Sequence, residues 1–500
     1  MRFPAFLASA AVLALSPSLG LSSMVWAQTP DPLPKTINVK TNIYYFQGEQ
    51  ALAEALKRTP NTGRAKNIIL FIGDGMGINS VTAGRIFAGQ QRGLDGASYE
   101  LSFDKLPYSG FSKTYSTDRL VTDSANGISA ITTGVKTING AIGVDGTVVG
   151  PRCRGSLKAR VPTLAEEAKL AGLSAGVVTT AGITDATPAG AYGHTPYRGW
   201  RADSDMTAEA IENGCIDLAR QLVEAPAAIR MDVALGGDLT KFVPDNDPRK
   251  GNRADGRDLT AEWLKQTPTA TYVTGAKDLA AIDPTKTDHL LGLFADGDLP
   301  SPVDTAEHYD VPTLDEMTAK AIDVLAKNPK GYFLLVESAS IDKWHHQNNA
   351  YHALTDVDEL SKAVQVAMDK TDAADTLIIV TADHSHGLVL TGGSTREEPI
   401  MGLARNHGKD SLDGNGQPYT TLSYATGPGG PKGGPGRSAP TEEEATSPGY
   451  TQPALVYTDS AQHAGEDVPV YAGGPQAHLL SGTIESSFIY QVMAHALGFK

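Results

Sequence analysis

Cysteine is nearly absent from this 500-residue chain, with Cys153 and Cys215 the only two. Neither belongs to a C-x-x-C pair or to a metal-ligand spacing, so no catalytic role falls to them. Basic charge is in deficit, 42 Lys plus Arg against 57 Asp plus Glu, for a formal net charge of −15. That balance disfavours a nucleic-acid backbone as the main partner, because such contacts rely on a positive surface. A small anionic substrate stays compatible where metal ions supply positive charge locally. Beyond the N-terminus no stretch offers the ~18 uninterrupted apolar residues that span a bilayer. The C-terminal "SSFIYQVMAHALGFK" is too short and too interrupted for a lipid-anchor tail. Internal repeats are lacking as well.

What is present starts with "MRFPAFLASAAVLALSPSLGLSSMVWAQTP", a basic Arg2, an apolar stretch from Phe6 to Leu15 and small residues ending at Ala27. This reads as a signal peptide over 1–27, cleaved after Ala27, with an uncleaved anchor as the rival reading. Residues 28–500 are then one exported domain, periplasmic or secreted, and the signal is bacterial in style. In an oxidising compartment Cys153 and Cys215 can pair in one disulfide; two free thiols are the alternative.

Short apolar runs, "NIILFI" (67–72), "AGVVTT" (175–180), "MDVALG" (231–236), "YFLLVE" (332–337) and "TLIIVT" (376–381), alternate with helical patterns at 163–172, 206–224 and 313–327. Strands alternating with helices predict an α/β fold, a three-layer sandwich with a large, mostly parallel central sheet flanked by helices. Residues 395–455, with "TGPGGPKGGPGRSAPTEEEATSPG", are dense in Gly, Pro and Ser and read as a Gly/Pro-rich surface insertion. A final helix is expected near 485–497.

In open α/β sheets ligands lie beyond the carboxyl ends of strands. Here those ends lead into Asp74, into Asp185 and Thr187, into Glu337, and into Asp383 and His384. Clustered carboxylates in a partly buried pocket cost several kcal/mol unless a positive charge offsets them, and divalent cations do so. Oxygen donors suit Mg²⁺; Asp with His nitrogen suits Zn²⁺. The pattern makes Asp342, His346, Asp383 and His384 candidate ligands, and the i, i+4 spacing of Asp342 and His346 puts both on one helix face. His345 and His386 read as neighbours that only hydrogen-bond. In "VTDSANGISAITTGVKT" (121–137), Ser124 stands at the start of an expected helix, where free amides and the dipole favour an anion. An N-cap role for "DS" is the bland reading; a metal-assisted nucleophile is the sharp one. No G-x-S-x-G elbow surrounds it.

Together "NIILFIGDGMG", "VTDSANGISAITTGVKT", "DATPAGAYGHTPYR", "VESASIDKWHH", "VTADHSH" and "HAGEDVPVYA" resemble, in order, the motifs of alkaline phosphatases. The resemblance runs from about Asn67 to the C-terminus and leaves chiefly the 395–455 segment unmatched. It implies phosphomonoester hydrolysis through a phosphoserine at Ser124, with two Zn²⁺ and one Mg²⁺ per subunit. Asp342, His346 and His463 would hold the first zinc; Asp74, Asp383, His384 and the Ser124 oxygen the second. Asp74 would bridge to Mg²⁺, held also by Thr187, Glu337 and, directly or through water, Asp185. Arg198 matches the arginine that grips phosphate, a task suited to a planar guanidinium. Members differ near the Mg²⁺ site; this chain has Asp185 and Lys343, so Lys343 is a candidate phosphate contact through water. The resemblance also implies a homodimer with no membrane anchor. A phosphodiesterase of the same superfamily and a non-catalytic phosphate- or metal-binding protein are the competing readings. Ser124, where a threonine would favour the diesterase, speaks against the first, and a complete nucleophile, arginine and ligand set speaks against the second.

Overall fold

The computed structural model describes residues 42–305, 310–432 and 439–500. The expected signal peptide, 1–27, lies outside the described residues. The chain divides into two units, Met1–Thr59 and Pro60–Lys500. The described part of the first contains one helix, Ile43–Lys57, started by Asn42, whose side chain accepts the Tyr44 and Tyr45 amides; none of its residues is buried.

The second unit is built on ten strands: β1 (Asn67–Gly73), β2 (Tyr108–Lys113), β3 (Ser174–Gly182), β4 (Val233–Gly237), β5 (Ala270–Val273), β6 (His289–Leu293), β7 (Tyr332–Ser338), β8 (Thr376–Thr381), β9 (Val468–Gly473) and β10 (Gly482–Glu485). They form a single sheet in the order β10-β2-β9-β8-β1-β7-β3-β4-β6-β5. All neighbours run parallel except at β9, which is antiparallel to both β2 and β8. The fold is thus the expected large, mostly parallel sheet between helical layers.

Period-two alternation along the central strands explains the layers, since both faces are covered. Ile68, Leu70 and Ile72 of β1 pack with Ile128, Ile131, Ile489 and Met493, from helices Ser124–Thr133 and Ser486–Leu497. Ile69 and Phe71 point the other way, into a core shared with Met317, Ala321, Val357 and Leu360, from helices Leu314–Leu325 and Ala350–Lys370. One helix differs from its sequence pattern. The run 206–224 is two helices, Ala208–Glu212 and Leu218–Glu224. Gly214 between them takes φ +84°, and Cys215 is bonded to Cys153. Asp217 then starts the second helix by accepting the Arg220 amide at 3.0 Å.

Within 395–455 the described residues form strand Leu422–Gly427, helix Glu442–Thr446 and strand Ala454–Tyr457, besides shorter pairings. Ile400, Met401, Leu422 and Tyr424 are buried against Phe87 and Leu354.

The strand register aligns one edge of the sheet. Glu337 is paired with Ile72 of β1 on one side and with Thr179 of β3 on the other, while Ile72 is also level with Thr381 of β8. Asp74, Asp185, Asp342 and Asp383 all follow within a few residues of those strand ends.

Candidate active site

Helix Ser124–Thr133 begins at this edge. Asp123 caps it by accepting the Asn126 amide at 3.3 Å, and Ser124 is the first helical residue, buried. The helix comes close because Gly127 faces Asp383: a Cβ there would lie 2.8 Å from the Asp383 Cβ. Ser124 Oγ thereby sits 3.2 Å from His384 Nε2 and donates to Asp74 Oδ1 at 3.4 Å.

Two groups of donor atoms are gathered around it, each within 4.8 Å of one another: Asp74, Asp383 and His384, and Asp342, His346, His386 and His463. Their hydrogen bonds tell what they suit. His384 turns Nδ1 to the Ser385 carbonyl at 3.2 Å, His463 to that of Thr122 at 3.0 Å, and His346 to that of Ala461 at 2.6 Å. A carbonyl only accepts, so each Nδ1 carries the proton and, in a neutral ring, each Nε2 presents a lone pair. The Nε2 atoms of His346 and His463 face each other at 3.2 Å, with Asp342 oxygens 3.3 and 3.4 Å away. The Nε2 of His384 faces Asp74 at 3.3 Å and Asp383 at 3.5 Å, and the buried Oδ2 of Asp383 has no hydrogen-bond partner. Lone pairs aimed at lone pairs and carboxylates fit a divalent cation, and the mixed Asp/His set with its carbonyl-anchored imidazoles fits zinc.

Burial lowers His384 to about 4 and His463 to about 3, keeping both neutral. Burial first, then the Asp383, Asp342 and Glu337 charges, pushes Asp74 well above the usual carboxylate range. Asp383 is raised to about 6 by burial and Asp342. Glu337 is raised to about 8, mainly by burial. Thr187 donates to Asp74 Oδ2 at 3.4 Å, and Thr179 donates to Glu337. Glu337 and Asp185 belong to neither donor group.

Asp185 behaves in the opposite way. Burial works to raise it, but Lys343, Arg198 and Arg201 outweigh that and hold it well below the usual range. Arg198 donates to Asp185 at 2.8 Å and to Asp123 at 3.4 Å, and Lys343 bridges Asp185, at 3.3 Å, to Asp298. Every site residue expected from the sequence is therefore found at this one edge. His386 donates from Nε2 to Asp342 Oδ1 at 2.9 Å, the hydrogen-bonding neighbour expected of it. His345 is tied up elsewhere, between Ser80 and Tyr424. Sequence reasoning missed Asp123, Asp298 and Arg201 as partners of these groups. For Asp123 itself the sequence offered only a cap, Asp298 follows the apolar run "HLLGLF" of β6, which the sequence reading did not take as a strand, and Arg201 lies in a segment with no strand-end signal. The site opens through a cavity of about 600 Å³ lined by residues including Leu120, Asp123, Asn139, His346 and His463.

A helix-borne serine between acid–imidazole donor groups and a carboxylate-held guanidinium suits a metal-dependent hydrolase of phosphate esters. The alkaline phosphatase family model matches residues 65–499. The tissue-nonspecific alkaline phosphatase of Gallus gallus is 40% identical over 463 residues, covering 90% of this chain and 88% of its own. The alkaline phosphatase of Gadus morhua is 39% identical, covering 90% and 95%. The structure of an alkaline phosphatase from the Antarctic bacterium TAB5 superposes with a TM-score of 0.60 at 24% identity, covering 87% of this chain and 98% of its own, and shares the fold. The chain belongs to the alkaline phosphatase family, and it is a phosphoric monoester hydrolase.

Proposed function

We propose that the chain hydrolyses phosphate monoesters at a two-zinc, one-magnesium centre, with Ser124 as nucleophile and Arg198 as phosphate clamp. The observation that carries this reading is the opposed set of Nε2 lone pairs and carboxylates converging around Ser124 Oγ. Asp342, His346 and His463 hold one zinc, and Asp74, Asp383 and His384 the other, joined by the serine oxygen. Asp74, Thr187, Glu337 and, directly or through water, Asp185 hold magnesium. Bound there, the metals supply positive charge that keeps the carboxylates ionised, acidifies hydroxyl groups and offsets charge on the phosphoryl oxygens.

The chain's own groups do the rest. Ser124 gives up its proton and forms a bond to phosphorus, while the bond to the ester oxygen breaks and the alcohol departs. Water then cleaves the phosphoserine, regenerating the serine hydroxyl and releasing phosphate. Arg198, already oriented by Asp185 and Asp123, presents its guanidinium to two phosphate oxygens. Lys343 contacts phosphate through water. Export to the periplasm or medium is supported by the apolar 1–27 segment and by the Cys153–Cys215 bond, which suits an oxidising compartment. Homodimerisation is carried over from the family. No described helix is long and apolar enough to cross a membrane.

The test is p-nitrophenyl phosphate hydrolysis between about pH 7 and 10, a range spanning ionisation of metal-activated hydroxyls. It is run before chelation, after it, and after Zn²⁺ and Mg²⁺ are restored, with the bis-ester alongside. Monoester release that is lost on chelation and regained with both metals supports the reading; diester preference overturns it. Ser124→Ala is expected to lower turnover by at least about a thousandfold, the scale of nucleophile loss, and to abolish the phosphoenzyme. Arg198→Ala weakens phosphate binding by about 10- to 100-fold, the worth of a charge-assisted pair.

A further inference from the structure

The "GHTPYR" stretch contains a histidine that the proposed chemistry does not use. His194 has a side chain only 8% exposed, and both its ring nitrogens face acceptors. Nδ1 lies 2.7 Å from the Gly143 carbonyl and therefore carries a proton. Nε2 lies 3.0 Å from Oε1 of Glu166. Glu166 is itself fixed: its other oxygen accepts the Thr163 amide at 2.9 Å, and its own amide donates to Thr163 Oγ1 at 3.2 Å, a reciprocal helix cap. Gln221 grips the His194 backbone from both sides, accepting its amide at 2.8 Å and donating to its carbonyl at 3.2 Å. A buried imidazole held this firmly is built to hold something else.

What it holds is the strap Gly140–Gly143. Gly143 takes φ +58°, and a Cβ there would lie 2.2 Å from the Gly193 carbonyl and 2.8 Å from His194 Nδ1, so only glycine allows the approach. The strap pairs along the segment that carries Arg198: Ile142 and Thr195 exchange amide–carbonyl bonds at 2.9 and 2.8 Å, and the Arg198 amide donates to the Gly140 carbonyl at 2.6 Å. On its other side the strap is tied to the nucleophile's helix. The Gly140 amide donates to both Asp123 oxygens at 3.0 Å, and the Gly143 amide donates to Ser129 Oγ at 3.0 Å. The strap thus connects the cap of Ser124 to the backbone of Arg198, and His194 clamps its far end.

We infer that His194 is a positioning residue that, through its Nδ1 bond to Gly143, sets the strap on which Arg198 is aligned with Ser124. The inference rests on the reading of Arg198 as the phosphate clamp. Asp185 and Asp123 orient the guanidinium head; His194 fixes the backbone from which it extends. Glu166 sets the ring's angle and keeps Nδ1 directed at the carbonyl.

The test measures binding of inorganic phosphate to the zinc- and magnesium-loaded enzyme by calorimetry, with metal content and thermal unfolding as controls. His194→Ala is expected to weaken phosphate about tenfold, the scale of one buried hydrogen bond relayed to a charge-assisted one. His194→Asn, whose amide can still donate to Gly143, should stay within about threefold of the native enzyme, whereas His194→Gln, which reaches Glu166 instead, should behave like alanine. Added to Arg198→Ala, the His194→Ala change should cost less than about twofold, because coupled residues are not additive. An equal loss in both backgrounds, or rescue by Gln and not by Asn, overturns the inference. The Asn and Gln pair decides the question even if the alanine variant fails to fold. If Arg198→Ala leaves phosphate binding intact, the clamp reading itself fails and the inference falls with it; if Arg198→Ala weakens binding and His194→Ala does not, only the inference falls.

Discussion

Asp74 and Asp185 follow strands separated only by β7, both are largely buried, and they are opposite in electrostatic character. Around Asp185 the chain supplies its own cations, Arg198, Lys343 and Arg201, and the carboxylate is held ionised. Around Asp74 the neighbours are Asp383, Asp342 and Glu337, and the proton is favoured. The contrast divides the site by the source of its positive charge. One half is balanced by side chains and is complete as folded; the other is arranged for charge that the chain does not provide. The proposed phosphate clamp belongs to the first half and the proposed nucleophile to the second.

The largest expected effect separates the halves directly. Asp74→Asn removes the residue shared by the proposed zinc and magnesium sites, and turnover should fall by at least about a thousandfold with loss of bound metal. Asp185→Asn leaves the two proposed zinc donor groups intact but loosens Arg198 and Lys343 and weakens the proposed magnesium site, so activity should fall by about 10- to 100-fold, the scale of a group that orients a site. Turnover and zinc analysis of the two variants check this, and equal losses of zinc would erase the distinction.

Next in size is pH. In the metal-free protein Glu337 is raised to about 8, so at pH 7 it is largely protonated and must ionise to take Mg²⁺. Magnesium binding should release more protons at pH 7 than at pH 9, with Glu337 and Asp74 both contributing, and affinity should rise with pH until these ligands are ionised. A pH-stat titration of the chelated protein measures it. For folding the signs are opposite in the two halves. Unfolded Glu337 loses its proton near 4.5 and the folded group keeps it to about 8, so this group's contribution to metal-free stability falls as pH rises between those values. Asp185, held well below 3.8, stabilises above that value and loses its contribution as pH falls through its folded pKa. Thermal unfolding of chelated Glu337→Gln and Asp185→Asn against pH should flatten different limbs.

The same division explains what could be read from the sequence. Most of the metal half announces itself because its donors follow apolar runs, as in "NIILFIGD" and "TLIIVTADH", and a parallel sheet brings such positions together whatever the loops do; His463 precedes β9 and was found only through the motif resemblance. The central strands were legible for the same reason, because burial on both faces leaves continuous aliphatic runs. The self-balanced half was less legible. Asp298 and Arg201 reach Lys343 and the Asp185 field from loops, where partnership depends on backbone paths that no periodicity encodes. The helix pattern at 206–224 failed at Gly214, whose positive φ ends one helix before the apolar spacing does. His386 was legible only as a hydrogen-bonding neighbour, and its partner Asp342, distant in sequence, could not be named because the two become adjacent only after β8 lies beside β1 and β1 beside β7.

The smallest expected effect probes how firmly the self-balanced half is set. Asp298 accepts the Gly182 amide at 2.9 Å with one oxygen and pairs with Lys343 through the other, so it ties the end of β3 to the residue after Asp342. Its side chain is 38% exposed, and a pair of that exposure is screened by solvent and contributes about 0–1 kcal/mol. Asp298→Ala should therefore change the unfolding free energy by no more than about 1 kcal/mol. It also frees Lys343 from one of its two carboxylates, leaving Asp185 at 3.3 Å as the remaining partner. A lysine released toward the phosphate pocket should tighten inorganic phosphate by about two- to threefold, within the worth of one partly exposed ion pair, and slow its release correspondingly. Weaker phosphate binding in Asp298→Ala would mean that Asp298 holds Lys343 in its working position instead of away from it. The balance in this half would then be a matter of geometry as well as charge.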